Sequence, residues 1–87
     1  MRYELIIKPS AEKALDRLPR VTRGRLLAAL QELRDEPRPS GAIKLTGEEQ
    51  TYRIRVGDYR IVYDIHDDTL VVLVLRVGHR KDVYRDR

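Results

Sequence analysis

Thr51-Tyr52-Arg53-Ile54-Arg55-Val56, then Gly57-Asp58, then Tyr59-Arg60-Ile61-Val62-Tyr63: the rest of the chain is read outward from this stretch. Two runs rich in strand formers flank a Gly-Asp pair, the signature of a hairpin with a two-residue turn. An even turn fixes the register, with Val56 opposite Tyr59, Arg55 opposite Arg60, Ile54 opposite Ile61 and Arg53 opposite Val62. A four-residue loop would preserve this pairing; a three-residue loop would break it. Side chains alternate across a strand, so Tyr52, Ile54, Val56, Tyr59, Ile61 and Tyr63 share an apolar face. Arg53, Arg55 and Arg60 share the opposite one.

On the N-terminal side, Tyr3 to Ile7 reads as a first strand. Pro9 and Ser10 open a helix whose apolar stripe is Ala11, Ala14, Leu15 and Leu18. Pro19 stops it, and a second helix starting around Val21 or Thr22 carries Leu26, Leu27, Leu30 and Leu33 on one side. That helix ends before Pro37. Pro37-Arg38-Pro39-Ser40-Gly41 is a loop. On the C-terminal side, Asp67-Asp68 marks a turn. Leu70 to Val77 is apolar at nearly every position, which predicts a central strand buried on both faces. Gly78 ends it. The order β-α-α-β-β-β predicts one α+β domain over 1–87, an N-terminal strand and a helical hairpin on one face of a mostly antiparallel four-stranded sheet.

The apolar face of the hairpin is where the helices pack, which leaves the arginines on the open side. Charged residues are ordinary on a wet sheet face, and that explains any one of these arginines. It does not explain Arg55 set opposite Arg60, because like charges directly opposed across strands destabilise a sheet. Three arginines without an interleaved acid point to an absent anion. Composition agrees: 18 Lys plus Arg stand against 14 Asp plus Glu, a net charge of +4 with a sequence pI near 9.7. Arginine far outnumbers lysine, and its planar fork of donors matches phosphate oxygens. With no cysteine in the 87 residues, disulfides and thiolate metal sites are excluded. The start of the chain lacks a signal-like apolar stretch and no apolar run is long enough to span a bilayer, so a cytoplasmic protein without membrane contact is expected.

The tail supplies further candidates in Gly78-His79-Arg80-Lys81 and Tyr84. Unbroken alternation from the central strand would put His79 on the arginine face and Arg80 on the other, while Gly78 permits a bend toward the patch. Taken singly, His79 also fits a plain surface residue and Tyr84 a contact that docks the C-terminus. His66 and His79 stand far apart and nothing has ligand spacing, so no metal or other cofactor is expected. There is also no phosphate-binding glycine loop and no nucleophile elbow.

Lys44-Leu45-Thr46-Gly47, Tyr52-Arg53-Ile54-Arg55, Tyr59-Arg60-Ile61-Val62-Tyr63, Val77-Gly78-His79-Arg80 and Val83-Tyr84, in this order and spacing, resemble the RelE family of toxins within the RelE/ParE superfamily. The resemblance implies the toxin of a type II toxin–antitoxin system, a metal-independent endoribonuclease (an mRNA interferase) that enters the ribosomal A site. There the 2′-hydroxyl of the messenger attacks the adjacent phosphate, leaving a cyclic phosphate and a 5′-hydroxyl. It also implies an antitoxin partner in a hetero-oligomer. The family's functional basic residues fall on Arg53, Arg55, Arg60 and Arg80, and its functional tyrosine on Tyr84; Lys44 and Lys81 extend the expected RNA contact. In the best-known member the positions of Arg53 and Arg55 are lysines. Arginine stays protonated, so here these two are expected to bind phosphate rather than accept a proton. Proton transfer is left to His79 or Tyr84, His79 being better matched to neutral pH. Arg55, Arg60, His79, Arg80 and Tyr84 are thus the expected catalytic set. Arg60→Ala on an exposed face is expected to cost activity far more than stability. The alternative is a ParE-like toxin of the same fold that inhibits gyrase by binding and cuts nothing.

Overall fold

The computed structural model describes residues 2–47 and 49–79. The chain runs β1 (Glu4–Ile7), α1 (Pro9–Asp16), α2 (Arg20–Leu33), β2 (Ile43–Lys44), β3 (Thr51–Val56), β4 (Tyr59–His66) and β5 (Val71–His79). The strands form one sheet in the order β1-β5-β4-β3-β2. Only β1 and β5 run parallel: the helical hairpin carries the chain from β1 at one edge to β2 at the other, and successive antiparallel strands bring it back until β5 lies beside β1. The sheet therefore has five strands rather than four. The extra one, β2, is two residues long, too short to leave a period-two pattern in the sequence.

Pro9 occupies the first turn of α1, with Glu12 favourably near the positive end of the helix dipole. Pro19, extended at φ −55° and ψ 151°, separates the helices and is the N-cap of α2. Ala11 and Leu15 of α1, and Leu26, Leu30 and Leu33 of α2, are buried against Ile54, Ile61, Tyr63, Ile65, Val72, Val74 and Val77. Leu27 does not join the stripe: it is 39% exposed, because the i, i+4, i+7 line through Leu26, Leu30 and Leu33 turns it outward. Among the described residues, no helix is long and apolar enough to cross a membrane.

The β3–β4 register is the one the even turn predicts, from Val56↔Tyr59 through Arg55↔Arg60 to Thr51↔Asp64. Gly57 has φ +62°, the left-handed conformation a primed two-residue turn needs at its first central position. The central strand departs from expectation. β5 lies between β1 and β4, yet the helices cover only one of its faces: Val72, Val74 and Val77 are buried, whereas Val71, Leu73 and Leu75 are half-buried. The apolar run is continuous because one face packs on helices while the other is a partly covered platform.

A bulge decides the C-terminal half of β5. Val62 pairs with Arg76 and Tyr63 with Val74, which leaves Leu75 as an extra residue. An inserted residue shifts the alternation of everything beyond it, so Arg76 and Gly78 fall on the open face and Val77 and His79 on the helix side.

Candidate nucleic-acid interface

The open face carries Arg53 and Arg55 on β3, Arg60 on β4 and Arg76 on β5. Arg55 pairs directly with Arg60, and Arg60 in turn with Gly78. One rung away, Val62 lies between Arg53 and Arg76. Four guanidiniums thus cluster over three adjoining strands, and the residue nearest the centre of the cluster on β5 is a glycine that adds no side chain. Asp64, the acid of β4 that shares this face, lies beyond Val62 and accepts a hydrogen bond from the Thr51 hydroxyl at 2.5 Å.

The four arginines differ in burial. Arg55 and Arg76 are exposed, Arg53 is half-buried, and Arg60 is only 2% exposed. Arg60 on an exposed face was the expectation; its position on the second strand of the hairpin, flanked by β3 and β5, makes it nearly as inaccessible as the core. Arg76 had no place among the expected site residues. It is the one charged residue in the β5 run, but only the bulge shows which face it joins.

His79 is displaced from its expected face. The bulge aligns it with Tyr59, whose ring it meets edge-on at 5.6 Å and 75°. Lys44 pairs with Tyr52 and so alternates to the helix side, while Ile43 shares the side of Arg53. Arg80, Lys81 and Tyr84 lie outside the described residues.

At the far end of the sheet a polar cluster anchors the loop after α2. Arg38 donates from Nη2 to Asp67 Oδ2 at 2.7 Å, and from Nε to the Tyr52 hydroxyl at 3.2 Å. The Tyr3 hydroxyl donates to Asp67 Oδ1 at 2.6 Å. These donors, Arg38 first, hold the Asp67 carboxyl below its usual range, and accepting from Tyr3 raises the phenol's own pKa. The Tyr63 hydroxyl donates to the Pro37 carbonyl at 2.7 Å, which satisfies a buried phenol; burial pushes its pKa up.

Residues 5–84 match the sequence model described as the ParE toxin of the type II toxin–antitoxin system parDE. The chain belongs to this toxin family, on its RelE-type side within the RelE/ParE superfamily. The toxin is 36% identical over 90 residues to Toxin RelG of Mycobacterium tuberculosis, covering 98% of this chain and 99% of RelG. It is 34% identical to the mRNA interferase toxin RelE of Escherichia coli K12, covering 99% of this chain and 94% of that one. Among solved structures, a chain of the RelBE2 toxin–antitoxin complex from Mycobacterium tuberculosis superposes with a TM-score of 0.80 at 30% identity, covering 92% of this toxin and 100% of that chain.

Proposed function

We propose that this toxin is a cytoplasmic, ribosome-dependent messenger-RNA endonuclease that works without a metal and is held in check by an antitoxin bound in a hetero-oligomer. The carrying observation is Arg55 set directly opposite Arg60, with Arg53 one rung away, on the sheet face the helices leave open. That arrangement concentrates positive charge on one face, and a phosphodiester is an anion whose oxygens match the guanidinium fork. The mRNA interferase name carried by the Escherichia coli relative supports the same activity, and the toxin–antitoxin complex that contains its structural neighbour supports the partner.

In this mechanism Arg53 holds the phosphates from the open face, Arg60 adds its charge from beneath at 2% exposure, and Lys81 extends the contact along the RNA, whereas Lys44, on the helix side, takes no part. The messenger's 2′-hydroxyl attacks the adjacent phosphorus, the bond to the 5′-oxygen breaks, and a cyclic phosphate and a 5′-hydroxyl result. Negative charge grows on the phosphoryl oxygens in the transition state, where Arg55 and Arg80 stabilise it. Neither Arg53 nor Arg55 can accept the 2′-hydroxyl proton. His79, assigned this role from the sequence, has its ring on the other side of the sheet against Tyr59, so we assign proton removal to Tyr84 together with groups supplied by the ribosome. Primer extension after induction tests the proposal: cuts within A-site codons are expected. Growth arrest with intact messengers and poisoned gyrase would instead place the toxin with ParE.

A further inference from the structure

Arg76 is the one described member of the arginine face without a part in the cutting chemistry. It owes its place to the bulge. Val62 pairs with Arg76 and Tyr63 with Val74, so the extra Leu75 brings Arg76 onto the face of Arg53, Arg55 and Arg60. There its side chain is exposed, on a strand that otherwise gives this face Val71, Leu73 and Gly78.

The face is built as two rungs across β3, β4 and β5: Arg55, Arg60 and Gly78 in one, Arg53, Val62 and Arg76 in the next. Two residues along a strand separate them, about 6.6 Å, comparable with the spacing of successive phosphates in a nucleic-acid strand. The rungs differ in where they carry charge. In the first it lies at β3 and, beneath the surface, at Arg60, and β5 adds no side chain. In the second the centre is Val62, uncharged and 8% exposed, and a guanidinium stands on each side of it. Neighbouring strands lie about 4.8 Å apart, which sets the Cα atoms of Arg53 and Arg76 about 9.6 Å from each other. Two long side chains rooted at that distance, with a short aliphatic one between, close on a single anion from opposite sides. Next along β4 comes Asp64, which accepts from the Thr51 hydroxyl and pairs with Leu73, so the positive track ends with the second rung.

We infer that Arg76 and Arg53 clamp the phosphate next to the scissile one, leaving the first rung to the bond that breaks. The inference rests on the endonuclease proposal and deepens it, adding Arg76 as a substrate-binding residue. A flanking phosphate keeps its charge throughout the reaction, so the clamp holds bound messenger and transition state equally. Such a contact sets how tightly the messenger is held and leaves the rate of the saturated complex unchanged. Arg55, which meets charge that develops only in the transition state, does the reverse.

Single-turnover cleavage on programmed ribosomes, followed as toxin concentration is raised, tests this. Arg76→Ala, at an exposed position, should fold and raise the half-saturating concentration about ten- to a hundred-fold, as loss of a charged hydrogen-bond contact does. Its saturating rate should stay within about three-fold of the parent's. Arg76→Lys keeps the charge without the fork and should fall between. Messengers carrying one neutral methylphosphonate, beside the scissile phosphate on either side in turn, locate the contact (a deoxyribose on its 5′ side keeps it intact, and a deoxyribose-phosphate messenger is the control). At one of the two positions the effect of Arg76→Ala should shrink to within about two-fold, as expected when the partner is already gone. A half-saturating concentration unmoved in both variants, or an Arg76→Ala effect that persists at both methylphosphonates, overturns the inference while leaving the endonuclease proposal standing. So does a saturating rate about a hundred-fold lower with binding unchanged, the mark of a contact to the developing charge. Unfolding of both variants overturns it by making Arg76 a structural residue, and weakened antitoxin binding with parental cleavage does so by giving Arg76 to a protein partner. A parent toxin that cuts no messenger on the ribosome removes the endonuclease proposal itself, and the inference with it.

Discussion

Consecutive residues of the same two strands serve opposite ends. Ile54, Ile61 and Tyr63 lie under the helices, where Ile61 and Tyr63 have no measurable exposure. Their neighbours Arg53, Arg55 and Arg60 lie on the other side of the sheet. On the first face each side chain adds to burial and nothing is left unsatisfied; even the Tyr63 hydroxyl has the Pro37 carbonyl. On the second, Arg55 and Arg60 stand directly opposite each other, a pairing that burial does not call for. Arg60 complicates the division, because it belongs to the arginine face by register and to the core by burial.

The largest expected effects set the two faces apart. Ile61→Ala should cost about 2–5 kcal/mol of unfolding free energy, as truncation of a fully buried aliphatic side chain does, measured by urea denaturation. Arg55→Ala should stay within about 0.5 kcal/mol, as exposed substitutions do. Its single-turnover cleavage should nevertheless fall about a hundred- to a thousand-fold, the effect of removing one donor to a developing oxyanion. Equal destabilisation by both substitutions would erase the distinction between the faces.

Arg60→Ala sharpens the comparison. The sequence alone leads one to expect a loss of activity with stability spared. With Arg60 at 2% exposure, truncation also opens a void, so stability should fall by at least about 1 kcal/mol more than in Arg55→Ala. Cleavage should fall by as much as in Arg55→Ala. Measuring urea midpoints and rates on the same preparations separates the two losses.

The hairpin shows what could be read in the residues and what could not. Its register followed from an even turn and six alternating apolar positions, and the arginine face came with it. The bulge did not, because the extra residue, Leu75, sits inside an apolar run in which every register looks equally plausible. From that one residue follow the gain of Arg76 and the loss of His79 from the arginine face. Leu27 misled because a helix one side of which is rich in leucine gives no sign of where the buried stripe ends.

A smaller effect belongs to the anchoring end. Asp67 holds Arg38 and Tyr3, and these partners lower its pKa in the fold. Its contribution is therefore fully present above the unfolded value, about pH 4, and is lost as pH falls through the lower folded value. Asp67→Asn should lower the urea midpoint slightly near neutrality and flatten this part of the acid limb, with cleavage unchanged. A parent and variant that lose stability in parallel below about pH 4 would show that the Arg38 contact contributes nothing in solution.

The smallest expected effect falls on His79, and it tests the bulge itself. A positioned general base contributes roughly a hundred- to ten-thousand-fold, and its loss removes the acidic limb of the pH–rate profile. On the unbroken alternation of β5, His79 would face the phosphates and Gln in its place would incur that loss. With Leu75 inserted, His79 instead lies opposite Tyr59 and meets its ring at 5.6 Å, while Gly78 faces Arg60. A side chain cannot cross its own sheet, so reaching the arginines would require β5 to slip by one residue and take Val77 out of the core. His79→Gln should therefore keep single-turnover cleavage within about ten-fold of the parent, below the range of a lost general base, and leave the acidic limb in place. A hundred-fold loss accompanied by disappearance of that limb would mean that the toxin acts on the ribosome with β5 in the other register.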